Sequence, residues 1–519
     1  MYSGKRRLKY YLLSFQKHDF RASITVFFVA LPLCLGVALA SGTPVYSGLA
    51  AGVIGGVIIP LFSRSELSVS GPAAGLTAIC AGAIAELGSL EVFFLAVAIS
   101  GLLQILLGVF KLGGFTHFIP SSVIKGMLAA IGVILISKQV PLLLGYNKPD
   151  FWRNELFNII TFDHAFQNME SLIDQINPLS IGIGLMSLGV LLAWKKYMSG
   201  ILPLVPASFA TVLAGSVAAW LVSIYFPAYQ LDQSQLVNIP HDVFAQIQFP
   251  DWHALLGNRL VWKTALVIAL VATLETLLSV EAIDKLDPYN RITPKNRELV
   301  AQGIANFSSG MVGGLPVTAV IVRSSANAEA GGKTSLSAFA HGIWLAAAVV
   351  FAIPLLNHIP YCVLAVLLIR TGYNLAKPRM LVSVYRQGNE QFMPFIVTIG
   401  AILFTDLLIG VLIGIGYSIY FLIKHTYRAG FVVEEKMEGH IKHITIKLAM
   451  NVSFLNKRRL SELLDQLPDY SVVEIKGADS VYIDHDILEI IQSFRAKAKS
   501  KHIELHTEGI REVQTIEVH

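Results

Sequence analysis

Two charged residues lie inside apolar sequence, and two segments break it with glycine and proline. Glu275 sits in the run Leu266–Val280, within Ala272-Thr273-Leu274-Glu275-Thr276. A lone carboxylate there does not face lipid, because charge in hydrocarbon is costly. Glu275, with the Thr276 hydroxyl beside it, could carry a proton or ligate Na+. It could also make a structural hydrogen bond or ion pair. Arg323 lies in Val320-Ile321-Val322-Arg323-Ser324-Ser325. It could supply positive potential for an anion, pair with a carboxylate such as Glu275, or snorkel to an interface.

The interrupted segments are Ser68-Val69-Ser70-Gly71-Pro72-Ala73-Ala74-Gly75 and Gly313-Gly314-Leu315-Pro316-Val317-Thr318-Ala319-Val320. Each reads as an extended stretch entering a short half-helix, with proline placed where a helix can begin. They occupy comparable places in the two halves of the apolar region. Such pairing points to inverted repeats with a binding site between them. Two half-helix N-termini offer free N–H groups and partial positive charge, which suits an anion. The alternative is two kinked helices with no ligand.

The elements that position these residues follow from composition. The chain has 519 residues, of which 54% are hydrophobic and 14% charged, and its mean hydropathy is +0.60. A soluble domain carries roughly 25% charged residues. Hydrocarbon must therefore solvate much of this chain, and disorder is excluded for the same reason. Apolar runs such as Ile24–Ala40, Tyr46–Phe62, Val92–Phe110, Val123–Leu144 and Leu407–Ile423 predict about twelve to fourteen helical crossings.

Lys5, Arg6, Arg7 and Lys9 precede the first run, and Lys424 and Arg428 follow the last. Both termini are thus expected in the cytoplasm. Asp19 and Arg21 interrupt any signal-peptide pattern, so Ile24–Ala40 is read as a retained span. The polar loops Asn147–Gln175 and Gln230–Arg259 are expected on the opposite side. Glu281 and Asp284 fall near a span end and read as solvated, and Asp406 as a turn or cap residue.

After about Gly430 charges become dense and strands alternate with helices, which predicts a small α/β domain over 430–519. Phe431–Met437, His440–Leu448, Tyr470–Ile475 and Ile503–His506 read as strands. Phe454–Leu467 and Asp484–Lys499 read as helices.

Other chemistry is missing. Gly331-Gly332-Lys333-Thr334 lacks the upstream glycine of a nucleotide-binding loop, and no Gly-x-Ser-x-Gly or His-Glu-x-x-His motif occurs. The sequence is not read as an enzyme. Cys34, Cys80 and Cys362 lie far apart in apolar stretches and read as small buried side chains. His440 and His443 read as a solvated strand face rather than a metal site. A net charge of +5 without a reading motif does not point to nucleic acid.

At these residues the chain resembles the SulP anion transporters, solute carrier family 26. The motifs are Ala30-Leu31-Pro32, Pro44-Val45-Tyr46-Ser47-Gly48-Leu49, Ser70-Gly71-Pro72, Ala272–Glu275 with Ser279–Asp284, Arg323–Asn327 with Gly331–Thr334, and Phe404–Gly410. Each is modest alone; together they follow the family order along nearly the whole chain. The resemblance implies about fourteen segments in two inverted seven-segment repeats over 1–429, and elevator-type movement between a gate half and a core half. It also implies a cytoplasmic STAS domain over 430–519, usually in a homodimer, which could bind a cytosolic regulatory protein.

The family's anion site, carried over, falls on Ser70, Gly71, Pro72 and Ala73, and on Thr318, Ala319, Val320, Val322 and Arg323. Leu33 and Val37 lie nearby, and Glu275 with Thr276 serves ion coupling. The implied function is secondary active transport of small inorganic anions in a bacterial-type inner membrane. Bicarbonate is the first expectation and sulfate the second, with H+ or Na+ as co-substrate and no cofactor. The alternatives are an anion channel or an anion-sensing scaffold.

The chain departs from the family where Ala73 replaces an aromatic, Leu33 replaces a polar residue, and Val320 and Val322 replace hydroxyls. Backbone N–H groups would then carry more of the binding. In the tail, Ile483-Asp484-His485-Asp486 lacks the serine that related regulators phosphorylate, and the last elements look shortened.

Overall fold

The computed structural model describes residue 11 and residues 13–114, 119–145, 177–198, 201–202, 205–227, 230–239, 247–405, 407–438 and 441–511. Lys5, Arg6, Arg7, Lys9, the loop Asn147–Gln175, Asp406 and His440 lie outside the described residues. Contacts divide the chain into two units, Met1–Gln387 with Phe395–Leu412, and Gly388–Pro394 with Ile413–His519.

The helices of the apolar region are α1 (Phe20–Ala40), α2 (Val45–Phe62), α3 (Thr77–Leu87), α4 (Leu90–Val109), α5 (Ser121–Leu143), α6 (Pro178–Ala193) and α7 (Ala207–Tyr225). They continue with α8 (Arg259–Asp284), α9 (Lys295–Met311), α10 (Ile321–Glu329), α11 (Leu336–Phe351), α12 (Tyr361–Leu375), α13 (Asn389–Phe404) and α14 (Leu407–Arg428). Among the described residues, eight helices are long and apolar enough to cross a membrane. With the shorter ones, α1–α14 make up the expected number of segments.

Close helix crossings are built on glycine pairs, because a missing Cβ lets backbones approach. A Cβ at Gly101 of α4 would stand 2.5 Å from the Gly303 carbonyl of α9. One at Gly56 of α2 would stand 2.6 Å from Gly342 of α11. One at Gly132 of α5 would stand 2.5 Å from the Gly372 carbonyl of α12. Advancing each helix by seven exchanges the α2–α11 and α4–α9 crossings and maps α5–α12 onto itself. That pattern is the mark of a two-fold repeat.

Each repeat contains one broken segment. β1 (Ser70–Pro72) precedes α3 and β2 (Val317–Ala319) precedes α10. The strands pair antiparallel, with Ser70 opposite Ala319, Gly71 opposite Thr318, and Pro72 opposite Val317. Here the structure corrects one local expectation. The prolines do not open the helices. Pro72 lies in β1 and helical turns start at Ala74, while Pro316 precedes β2 and α10 starts at Ile321. The reason is the pairing. The extended ladder gives the backbone partners that a single broken helix would lack, and Pro72, with no N–H, ends it.

In the second unit β3 (Phe431–Glu438), β4 (Ile441–Leu448), β6 (Val472–Lys476) and β8 (Glu504–Glu508) form a sheet in the order β3-β4-β6-β8. The β3–β4 pair is antiparallel and the other two pairs are parallel. A small second sheet pairs β5 (Asn451–Val452) with β7 (Tyr482–Ile483). Two helices, α15 (Lys457–Asp465) and α16 (His485–Ser500), share a core with the sheet through Ile444, Ile446, Leu464, Ile475, Ile487 and Ile491. Asp484 caps α16 by accepting from the Asp486 N–H at 3.1 Å. The tail therefore has the expected α/β class, with element ends shifted by at most three residues.

Candidate functional site

The β1–β2 ladder lies at the meeting point of both half-helices. Because the strands are antiparallel, α3 and α10 leave from opposite ends of it, and both N-termini abut the ladder. The first-turn N–H groups of each helix lack intrahelical partners. Ser70, Ala73, Thr318 and Ala319 are buried, as are Gly71 and Pro72. Val320 and Val322 are partly exposed at the start of α10.

Helix α9 holds the ladder in place. Glu298, Gln302, Asn306 and Ser309 recur at spacings of four, four and three, and all are fully buried. Gln302 Nε2 donates to Ser70 Oγ at 2.9 Å, which grips β1. Asn306 accepts from the Val317 N–H at 2.5 Å and donates to the Val317 carbonyl at 3.0 Å, which grips β2. Asn306 also donates to Gln104 Oε1 at 2.6 Å, and Gln104 donates to Thr273 of α8 at 3.3 Å. Glu298 accepts from Ser63 and from Gln302.

Arg323 is fully buried against the middle of the ladder. A Cβ at Gly71 would collide with its Nη1, so glycine is required there. Nη2 lies 3.4 Å from Cys34 Sγ of α1. Nε and Nη1 have no hydrogen-bond partner. Among the described residues no carboxylate lies within ion-pair distance of it, so it is neither paired with Glu275 nor snorkelled to a surface. A buried cation left this way is unstable unless a counter-ion completes it. The Thr318 hydroxyl is likewise buried without a partner.

Glu275 approaches the opposite half-helix. A Cβ at Gly75 would stand 2.9 to 3.0 Å from its carboxylate oxygens. Its Oε2 is buried with no hydrogen-bond partner. Thr276, one residue on, accepts from the Ala319 N–H at 3.3 Å and ties α8 to β2. Leu33 and Val37 are buried on α1, on either side of Cys34 and one turn beyond it. Among the described residues no group of three or more His, Cys, Asp and Glu side chains gathers as a metal site.

The structure thus brings Ser70–Ala73, Thr318–Val320, Arg323, Glu275 and Thr276 to one ladder. The sequence reading missed Gln302, Asn306, Glu298, Gln104 and Cys34. The polar stripe of α9 was a visible signal, since four polar residues share one face inside an apolar region. Cys34 carried no signal, because a buried thiol reads as packing.

A family model described as Sulfate permease family matches residues 16–398. YvdB of Bacillus subtilis (strain 168), whose name assigns it provisionally to sulfate transport, is 30% identical over 424 residues, covering 81% of this chain and 76% of its own. Bicarbonate transporter BicA of Picosynechococcus sp. is 25% identical over 410 residues, covering 78% and 68%. The murine Solute Carrier 26 family member A9 anion transporter, solved in an inward-facing state, shares the fold with a TM-score of 0.73 at 16% identity, covering 94% of this chain and 84% of that one.

Proposed function

This chain belongs to the sulfate permease family, and we propose that it is a secondary active transporter of small inorganic anions with its site at the β1–β2 ladder. Its relatives are named as transporters, and it is a membrane protein of that kind rather than an enzyme. The observation that carries the site is the fully buried Arg323 guanidinium with Nε and Nη1 unpartnered between two half-helix N-termini. An anion there would accept from the guanidinium, the Thr318 hydroxyl and first-turn N–H groups.

Ala73 and Ala319 put only small, buried side chains at the ladder ends. One guanidinium, with the Glu275 carboxylate of α8 beside the other half-helix, balances a monovalent anion better than a dianion. Bicarbonate is therefore placed first and sulfate second. Glu275 would couple the movement by taking up H+ or by ligating Na+ with Thr276. Elevator-type movement would carry the ladder, α3, α10 and α8 as one body. The 430–519 segment is proposed as a cytoplasmic STAS domain, in a homodimer in the bacterial inner membrane with both termini cytoplasmic and a cytosolic regulatory protein as its partner. His485, the first residue of α16, leaves no hydroxyl to phosphorylate at that position.

Proteoliposome uptake across bicarbonate, sulfate and chloride, with H+ and Na+ gradients imposed separately, tests this reading. Gradient-driven accumulation of one anion is expected. Flux indifferent to both gradients would indicate a channel, and binding without flux a sensing scaffold.

A further inference from the structure

The connector between α12 and α13 contains a helix of its own, Pro378–Tyr385. Its residues divide into three arcs. Val384 is fully buried and Met380 partly so, which sets one arc against the protein. Leu381, Val382 and Tyr385 are exposed at 44%, 46% and 61%. Arg379, Ser383 and Arg386 stack on a third arc at spacings of four and three residues. That arc lines an open groove of about 660 Å3 together with Val382 and Gln387.

Charge on this connector has one sign. Lys377, Arg379 and Arg386 occur between positions 376 and 388, with no Asp or Glu among them, and Arg370 lies in the last turns of α12. Among the described residues, neither the Arg379 nor the Arg386 guanidinium has an ion-pair or hydrogen-bond partner, although the Arg386 backbone N–H donates to the Val382 carbonyl at 3.1 Å. Arg458, by contrast, is matched by Glu462 at 2.7 Å and Lys447 by Glu434 at 2.7 Å.

We propose that the Pro378–Tyr385 helix docks an anionic phospholipid, with Arg379 and Arg386 holding its phosphate in the groove and Leu381, Val382 and Tyr385 against its acyl chains. Unmatched arginines call for an anion, and guanidinium geometry suits phosphate oxygens. The adjoining exposed apolar arc calls for hydrocarbon, which a soluble phosphate does not offer. The connector is short and tethered between two apolar helices, which keeps it at the membrane surface. Basic residues without acidic ones mark the cytoplasmic side, where anionic lipids attract them.

The test uses the full chain in mixed phosphatidylglycerol and phosphatidylcholine nanodiscs, followed by native mass spectrometry of retained lipid. Preferential retention of phosphatidylglycerol is expected. The double variant Arg379→Gln with Arg386→Gln should weaken it by about tenfold or more, from the attraction of two basic groups. Arg379→Lys with Arg386→Lys should keep most of it. Equal retention of both lipids by the unaltered protein overturns the proposal. So does undiminished phosphatidylglycerol retention by the glutamine pair, with unfolding temperature confirming that it is folded. Displacement of the lipid by millimolar inorganic phosphate would assign the groove to a soluble anion instead.

Discussion

Arg323 of α10 and Glu275 of α8 approach the ladder beside different half-helices, yet among the described residues no ion pair joins them. The proposed function gives them separate duties, one toward the anion and one toward coupling. Arg323→Met removes a buried charge that nothing in the protein neutralises. It should raise the unfolding temperature without anion, since an apolar side chain there removes the desolvation cost of an uncompensated buried charge. It should also abolish the further rise that added anion causes. An unchanged anion-induced shift in Arg323→Met would remove Arg323 from the site. Glu275→Gln keeps the shape and loses the charge, so gradient-driven uptake should vanish while anion binding and folding persist. Ala73→Phe or Ala319→Leu should reduce anion affinity at least tenfold, read by isothermal titration; normal affinity would place the anion elsewhere. At this scale the two charges were legible in the sequence, because each interrupts an apolar run. Their lack of a mutual ion pair was not, since Arg323 and Glu275 lie on different helices.

Helix α9 shows how an element can carry a visible signal that goes unread. Its stripe of Glu298, Gln302, Asn306 and Ser309 forms a buried polar face that the sequence reading passed over. Only the contacts reveal that Gln302 grips β1 and Asn306 grips β2. Asn306→Leu leaves the Val317 N–H and carbonyl without their partner, which costs about 2–3 kcal/mol. The expected result is a lower unfolding temperature and faster amide exchange in residues 315–319; exchange unchanged there would mean that α9 does not hold the strand. The loop after α8 is a second case. Arg291 donates to Asp287 at 2.6 and 3.1 Å and to the Lys333 carbonyl at 2.9 Å, while Asp19 accepts from the Lys333 and Thr334 N–H groups. Burial alone would raise the Asp287 carboxyl, but the hydrogen bonds from Arg291 and Tyr289 outweigh it and hold it below its ordinary value. A lowered carboxyl stabilises the fold above the unfolded carboxylate range, near pH ~3.9, and loses that contribution as pH falls through its folded value. Asp287→Asn should lower stability at neutral pH and flatten the unfolding profile below about pH 4. A variant profile as steep as the parent's would show that Asp287 is not the responsive group.

For the whole molecule, the low charge content makes the chain a membrane protein, and the glycine crossings make it a repeat. The exchange of α2–α11 with α4–α9 places β1 and β2 on the symmetry element, which is why one ladder can serve both halves. Gln302, Asn306 and Thr276 tie the ladder to α9 and α8, the rigid platform that the proposed elevator movement would need. Replacing Gly101 or Gly303 by Val should separate α4 from α9 and abolish uptake together with stability. Full uptake by a stable Gly303→Val protein would contradict the close crossing.

The sequence by itself determined the apolar segments, the α/β tail, the two interrupted stretches and the two isolated charges. Each of these is a local pattern, written in composition or in spacing along one element. The tertiary structure alone decided that the interruptions pair as strands, that Gly71 makes room for Arg323, and that α9 clamps both sides. Most of those are contacts between residues more than two hundred positions apart, as with Ser70 and Gln302. Which polar groups find partners depends on how helices cross, and no spacing along the chain records that.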